Sequence, residues 1–194
     1  LKIFPPIYRS QFLSERAALR QLAGHLSIAT PELLSDGEQS RWAWLVMTKL
    51  TGHIGTEIWP DLSEAEKEVI LTNIGRTIAE VQAVPVGEIA KIAEPWSTFF
   101  KNQLAGCVDR HRRQELPERF LVGLERLVTD APEIIPMNAP DVILTGDWIP
   151  ENFLLTTEGG PWRLCALIDF GDVRTGWGEY DLLAPSAVLC EGKA

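Results

Sequence analysis

Apolar residues recur at helical spacing in the middle of the chain, most clearly over residues 62–83. Four of them repeat every three or four positions, which places them on one face of a helix and predicts that this face is buried. Ser63 and Glu66 have the spacing of a capping box, so we expect the helix to begin there. The predicted buried stripe consists of Ile70, Ile74, Ile78 and Val81.

Other stretches show weaker helical periodicity, or the alternation and the aromatic or β-branched content that are typical of strands. Ser10 can cap a helix that ends before Gly24, and the sequence S-D-G-E at 35–38 predicts a turn between two strands. Residues 130–140 contain three prolines and are predicted to form a loop. The predicted helices are 10–23, 62–83, 96–113, 117–128 and 181–190, and the predicted strands are 1–6, 31–35, 41–47, 142–145 and 164–168.

Composition limits the kinds of function that this chain can have. With 194 residues, of which 45% are hydrophobic, it can bury one sizeable core or two small ones. A net charge of −9 argues against a nucleic-acid partner, because contact with phosphates needs a basic face. The scattered cysteines and histidines indicate neither a disulfide framework nor a zinc site. No apolar run approaches the ~20 residues that cross a bilayer, so we expect a cytoplasmic protein without a membrane partner.

Two apolar segments in the last third of the chain each lead into acidic or amide side chains. The first, 142–145, precedes Asp147, and Asn152 follows that aspartate by five residues. The second, 164–168, precedes Asp169 in the sequence D-F-G. Phosphoryl transfer from ATP requires groups of this kind, namely a base that orients the accepting hydroxyl and oxygen ligands for Mg²⁺.

A hairpin is predicted between these two segments, because residues 156–161 are rich in threonine, glycine and proline. Such a hairpin would bring Asn152 and Asp169 close together. The spacing D-x-x-x-x-N and the tripeptide D-F-G are each weak signals, but the two together, in this order and after apolar strands, are a strong one. The sequence therefore predicts a kinase-like site in the stretch from Leu144 to Asp172.

This stretch resembles the aminoglycoside phosphotransferase family, which comprises small-molecule kinases of the protein-kinase-like fold. The family's loops follow H-G-D-x-x-x-x-N-x-L, I-D-F/W-G/E-D and a downstream D-L; this chain has T-G-D-W-I-P-E-N-F-L-L, I-D-F-G-D and Y-D-L-L. The resemblance implies that Asp147 is the catalytic base and that Asn152 and Asp169 hold Mg²⁺. It also implies that Asp181 starts a helix and braces the loop, and that Thr145 replaces a structural histidine.

The resemblance further implies an ATP site in the N-terminal part of the chain. Lys2, in the strand sequence L-K-I, resembles the lysine that contacts the phosphates, and Glu15 resembles its partner on the following helix. Each residue also has an ordinary explanation, since Lys2 can be a plain exposed lysine and the helix dipole favours glutamate early in a helix. The segment formed by Met47, Thr48, Lys49 and Leu50 resembles the hinge whose backbone groups bind adenine.

The fold implied by the resemblance is α+β, the two-lobe protein-kinase-like fold. A partial N-lobe, residues 1–48, is expected to contain a small sheet and one helix, and a mainly helical C-lobe, residues 49–194, is expected to carry the catalytic β-hairpin. The family has further strands and a flexible loop before the lysine strand, and helices after the D-L segment. We therefore expect this chain to be the middle part of a longer protein.

The expected function is ATP-dependent transfer of the γ-phosphate to a hydroxyl of a small molecule. The acceptor stays open between an aminoglycoside, another antibiotic and a metabolite; the acidic charge mildly favours a cationic one. A non-catalytic kinase-like binding module is the alternative, suggested by Thr145 and by the missing phosphate-covering loop. A protein kinase is disfavoured because the catalytic loop lacks the arginine of H-R-D and no A-P-E segment follows.

Three further residues have two interpretations each, and the oligomeric state is left open by the sequence. Trp148 and Trp177 either line the acceptor site, where they could stack on a sugar ring or a cation, or belong to the core. Asp172 either assists the metal or the acceptor, or stabilises a turn.

Overall fold

The N-terminal part of the chain is a three-stranded antiparallel sheet with a helix packed on one face. In the computed structural model, which describes residues 1–190, the strand order is β1-β3-β2. Ala43 and Leu45 of the central strand are buried on the face toward the helix, and the rings of Phe4 and Phe12 meet there at 5.7 Å. The elements are β1 (Lys2–Phe4), α1 (Arg9–Leu22), β2 (Leu33–Gln39) and β3 (Trp42–Met47).

The middle of the chain is helical, and its longest helix begins and packs as predicted. The Ser63 hydroxyl accepts from the Glu66 amide and the Glu66 carboxylate accepts from the Ser63 amide, which confirms the capping box. The four residues of the predicted stripe are at most 4% exposed. A short strand and five helices follow β3, namely β4 (His53–Ile54), α2 (Gly55–Ile58), α3 (Glu64–Ala83), α4 (Ile89–Ile92), α5 (Trp96–Arg113) and α6 (Glu118–Ile134).

Two small sheets at the C-terminal end of the described chain hold the loops of interest. The strands are β5 (Val142–Leu144), β6 (Phe153–Thr156), β7 (Arg163–Leu167) and β8 (Arg174–Gly176). β6 pairs with both β4 and β7, and β5 pairs with β8, in each case antiparallel. The predicted hairpin is therefore present, but its first strand is β6, because the segment predicted at 142–145 pairs with β8 instead.

The predicted turn at residues 35–38 is wrong, because these residues belong to β2. The chain turns at Ser40 and Arg41, which both have left-handed backbone angles, with φ of 50° and 69°. Asp36 and Glu38 form ion pairs with arginines of α1, so tertiary contacts hold the S-D-G-E sequence in extended form.

Three helix boundaries also differ from the prediction. Ser10 does not cap α1, which begins at Arg9 without a side-chain cap. Helix α6 continues through Pro132 to Ile134, because Ala131 and Ile135 pack against the aromatic cluster of α5. The helix expected at 181–190 is a 3-10 segment, Gly178–Leu182, followed by a π-helical turn, Pro185–Leu189.

The mixed architecture that the sequence predicts is thus present, with small sheets at both ends and helices between them. Within residues 1–190, none of the helices combines the length and the apolar character that a membrane span requires.

The apolar stripe of α3 should carry much of the stability of the helical part. Ile74 is 1% exposed, whereas Val69 on the opposite face of the same helix is 52% exposed. We expect Ile74→Ala to lower the free energy of unfolding by about 2–5 kcal/mol, through lost burial and a cavity. Val69→Ala should change it by less than ~0.5 kcal/mol. Urea titrations measure both values, and similar losses in the two variants would contradict the packing described.

Candidate active site

The ammonium group of Lys2 lies between two carboxylates that come from distant parts of the chain. Its Nζ donates to Glu15 Oε2 at 2.7 Å and to Asp169 Oδ1 at 2.9 Å. The strand alternation of β1 turns Lys2 toward α1, while Ile3 points outward and is 56% exposed. Glu15 extends from α1, and Asp169 lies two residues after the end of β7. The structure therefore brings these three residues, singled out from the sequence, into contact.

Burial and charge act in opposite directions on the Lys2 and Glu15 side chains. Burial alone would lower the pKa of the Lys2 ammonium, but its bonds to Glu15 and Asp169 outweigh burial and raise that pKa. Burial raises the pKa of the Glu15 carboxyl, and the Lys2 cation offsets this only in part. Because Lys2 stays protonated and lies at 2.7 Å, we treat the two as an ion pair at neutral pH.

The loop between β5 and β6 holds Asp147 and Asn152 against each other. The Asn152 amide nitrogen donates to Asp147 Oδ2 at 2.8 Å and to the Asp147 carbonyl at 3.0 Å. The Asn152 carbonyl in turn accepts from the Ile168 amide at 2.8 Å, one residue before Asp169. Asn152 and Asp169 are thus adjacent, as predicted, although the first strand of the hairpin that joins them is β6 and not the predicted segment 142–145.

Asp169 has an unusual backbone conformation for a residue with a side chain. Its φ of 60° lies in the left-handed region, which aspartate tolerates better than most residues. Its Oδ1 accepts from the Gly171 amide at 3.2 Å, a bond within the tight turn of D-F-G. Strained conformations of this kind cluster at functional sites, where the surrounding structure holds them in place.

The Asp147 carboxyl lies in a negatively charged environment. Burial is the largest cause that raises its pKa; the charges of Asp172, Asp169 and Glu151 raise it further, and the bond from Asn152 opposes them. Asp147 is therefore a better proton acceptor than an ordinary exposed aspartate.

The buried carboxylate of Asp181 fixes the backbone that leads into Asp147. It accepts from the Thr145 amide at 2.9 Å, the Thr145 hydroxyl at 3.1 Å, the Gly146 amide at 2.8 Å and the Trp148 indole at 3.4 Å. Burial raises the pKa of Asp181 and these donors oppose that rise. Thr145 thus joins the brace through its hydroxyl. Asp181 does not start a helix, because its side chain is committed to this loop.

The loop also needs glycine at position 146. Gly146 has a φ of 81°, and a Cβ there would lie 3.0 Å from the Asp172 carbonyl. Trp148 is fully buried, at 0% exposure, so its side chain belongs to the core and cannot stack on an acceptor. Trp177 is partly buried and packs on the aromatic cluster of α5.

A cleft of about 530 Å³ lies between the N-terminal sheet and the β6–β7 hairpin, within the usual size range of small-molecule sites. Leu154, Ile168 and Ile54 also line it, although they were not singled out from the sequence. Leu154 and Ile168 each lie next to a polar motif in an apolar strand, and that position is the signal that could have identified them. The predicted residues that line the cleft are Lys2, Glu15, Met47, Thr48, Lys49, Leu50 and Asp169.

The donor set fits Mg²⁺ rather than a soft metal. Within residues 1–190, His, Cys, Asp and Glu side chains form no cluster of three or more that could hold a metal ion. Mg²⁺ commonly takes only one or two protein ligands and completes its shell with water and phosphate oxygens. The side-chain nitrogen of Asn152 donates a hydrogen bond to Asp147, so the Oδ1 of Asn152 stays available to a cation. Asp169 adds a carboxylate.

The Asp181 brace should be worth a large share of the folding stability. In Asp181→Asn the amide offers one acceptor oxygen and presents N–H groups to buried donors. We therefore expect the free energy of unfolding to fall by about 2–4 kcal/mol. Glu179→Gln, an exposed change in the same 3-10 segment, should cost less than ~0.5 kcal/mol. Denaturant titration gives both numbers, and equal stability of the two variants would refute the brace.

Comparison with known proteins agrees with this architecture. The chain is 29% identical over 170 residues to the aminoglycoside 3'-phosphotransferase of Streptomyces ribosidificus. The aligned region covers 87% of this chain and 62% of that protein. The GDP complex of wild-type aminoglycoside 2'-phosphotransferase-IIIa superposes with a TM-score of 0.75 at 18% identity, over 93% of this chain and 62% of that one. The streptomycin–ATP ternary complex of APH(2'')-IIa superposes with a TM-score of 0.61 at 20% identity, over 91% of this chain and 60% of that one.

These likenesses confirm the predicted protein-kinase-like α+β fold. The chain spans 62% of the length of the curated relative that it matches. A family model described as the phosphotransferase enzyme family matches residues 1–191, which is nearly the whole chain. The chain therefore belongs to the phosphotransferase enzyme family.

Proposed function

We propose that the whole protein transfers the γ-phosphoryl group of ATP to a hydroxyl of a small molecule. The observation that carries this proposal is the meeting of Lys2, Glu15 and Asp169 in one cleft, with Asn152 bonded next to Asp169. A cation for the phosphates and oxygen ligands for Mg²⁺ thereby lie close together. Phosphoryl transfer depends mostly on such positioning and on charge stabilisation.

In this proposal the hinge backbone holds the adenine and Lys2 holds the phosphates. The Thr48 amide already donates to the Glu32 carbonyl at 3.0 Å, and the Thr48 hydroxyl accepts from the Glu32 amide at 2.8 Å. Recognition of the base therefore falls to the remaining backbone groups of Met47–Leu50. We also propose that this hinge marks the boundary between an N-lobe, residues 1–48, and a C-lobe, residues 49–194.

Asp147 is the proposed base that accepts the proton of the acceptor hydroxyl. Asn152 keeps its carboxylate oriented through the bond at 2.8 Å, and the acidic neighbours keep it a competent proton acceptor. Asn152 Oδ1 and Asp169 are the proposed Mg²⁺ ligands. When bound, Mg²⁺ would neutralise negative charge on the phosphates.

The proposed acceptor is aminoglycoside-like. The curated relative is an aminoglycoside 3'-phosphotransferase, and one of the similar structures is a complex with streptomycin and ATP. In this chain Asp172 and Glu151 place negative charge close to Asp147, which favours an acceptor that carries ammonium groups.

The direct test is to incubate the whole protein with ATP, Mg²⁺ and either kanamycin or an uncharged sugar alcohol, and to detect phosphorylated products by mass spectrometry. We expect product from kanamycin, more than from the uncharged acceptor. A non-catalytic binding module would instead bind ATP in a Mg²⁺-dependent way and yield no phosphorylated alcohol.

Removal of the proposed base should abolish turnover while nucleotide binding persists. We expect Asp147→Asn to lower kcat by about 10³ or more, because the hydroxyl proton then has no acceptor. Its ATP affinity should stay within about twofold of the wild type. Asp141→Asn, an exposed change before β5, is the matched control and should leave kcat unchanged. Full activity of Asp147→Asn would rule out this base.

The charge of Asp172 should affect the pH dependence of kcat/KM. A negative neighbour disfavours the ionised form of Asp147, so Asp172 contributes to the raised pKa of that base. In Asp172→Asn this pKa should fall, and the acidic limb of the kcat/KM profile should move to lower pH. Asp141→Asn should leave the limb in place. A limb that stays fixed or moves upward in Asp172→Asn would contradict the electrostatic account.

A further inference from the structure

We propose that Asp36 is a positioning residue for the Lys2–Glu15 pair: it clamps two arginines of α1 and so keeps the helix where Glu15 meets Lys2. The inference rests on the proposed function for its kinetic consequence only. Its structural part concerns the contact between β2 and α1.

The inner face of β2 carries charge at positions where a covered sheet face is normally apolar. Asp36 pairs in register with Leu45 and Glu38 pairs with Ala43. Both of these β3 residues are buried, at 0% and 1% exposure, on the face toward α1. The two carboxylates of β2 therefore face the helix rather than solvent, and the S-D-G-E sequence supplies them.

Three arginines of α1 form ion pairs with these two carboxylates. Arg9 donates through two nitrogens to Glu38, at 3.1 and 3.0 Å. Arg16 and Arg20, one helical turn apart, both donate to Asp36, at 3.2 and 2.5 Å. A carboxylate shared by two guanidinium groups holds a helix in rotation as well as along its axis, because both donors must stay within reach.

Asp36 is better placed than Glu38 for this task. Its side chain is 18% exposed, against 36% for Glu38, so solvent screens its ion pairs less. Its partner Arg16 is the immediate neighbour of Glu15, which is 2% exposed and has to meet Lys2 Nζ at 2.7 Å. A small rotation of α1 moves both side chains at once, since successive residues are fixed on the helix surface at ~100°.

Loss of the Asp36 ion pairs should weaken the contact between Glu15 and Lys2 more than it affects the chemistry at Asp147. We expect Asp36→Asn in the whole protein to raise the KM for ATP about threefold, the scale of one or two such ion pairs. The KM for the acceptor should stay unchanged. Arg20→Gln removes half of the clamp at an exposed position and should give a smaller rise. Asp36→Glu keeps the carboxylate and should recover part of the loss.

A second measurement does not depend on activity. In the nucleotide-free protein, the rate at which an amine-acetylating reagent modifies Lys2 can be followed by peptide mass spectrometry, with exposed Lys49 as the internal reference. We expect faster modification of Lys2 in Asp36→Asn, by about threefold. The matched control is Glu125→Gln, which breaks the exposed Arg112–Glu125 pair between α5 and α6. In this control the rate should equal that of the wild type.

The two measurements separate the possible failures. If the protein transfers no phosphate, the proposed function fails, and the Lys2 modification rate still decides the role of Asp36. If Asp36→Asn does not fold, Arg20→Gln carries the comparison. Unchanged Lys2 modification and unchanged KM for ATP in the folded variants would overturn the proposal.

Discussion

The ammonium group of Lys2 is the point on which the two ends of the site depend. It joins Glu15 of α1 to Asp169, which lies 167 residues beyond Lys2 in the chain. A partly buried ammonium loses hydration, and the two carboxylates compensate for that loss only while both stay in place. The position of α1, the register of β1 and the left-handed turn at Asp169 together place the two carboxylates within reach of the Lys2 ammonium.

Two buried carboxylates organise the site in different ways. Glu15 and Asp181 are each 2% exposed, but Glu15 is satisfied by a cation and Asp181 by backbone, hydroxyl and indole donors. The first holds the group proposed to contact phosphate, and the second holds the loop that carries the proposed base. A buried charge without partners is costly, so each carboxylate forces its surroundings into one geometry. The proposed chemistry therefore rests on carboxylates that take no part in it.

Local patterns were sufficient to predict the long helix and the order of the motifs. The capping box and apolar stripe of α3 depend on residues three or four positions apart, which a sequence displays directly. The kinase-like fold followed from the resemblance of the loops between Leu144 and Asp172, and the similar structures confirm it. The resemblance predicted Glu15 as the partner of Lys2, but the contact of Lys2 with Asp169 was not predicted, because no local periodicity joins positions so far apart.

Two of the errors have a common physical cause, which is that long-range polar contacts overrode local propensity. The S-D-G-E sequence is a good turn, yet the arginines of α1 hold Asp36 in a strand. Asp181 is a good helix cap, yet its side chain is taken by the amides of Thr145 and Gly146. For Trp148 the sequence left a core position and an acceptor site open; the residue is buried, and its indole joins the same brace.

The measurement that tests this account most directly is the affinity for ATP, determined by calorimetry with Mg²⁺ on the whole protein and on its Lys2→Met variant. Loss of a charge-assisted contact to phosphate should weaken binding by about tenfold or more. Lys101→Met, an exposed change on α5, should bind as the wild type does. Mg²⁺-dependent binding that weakens only in Lys2→Met is the predicted result, and equal ATP affinity in all three proteins would contradict the account.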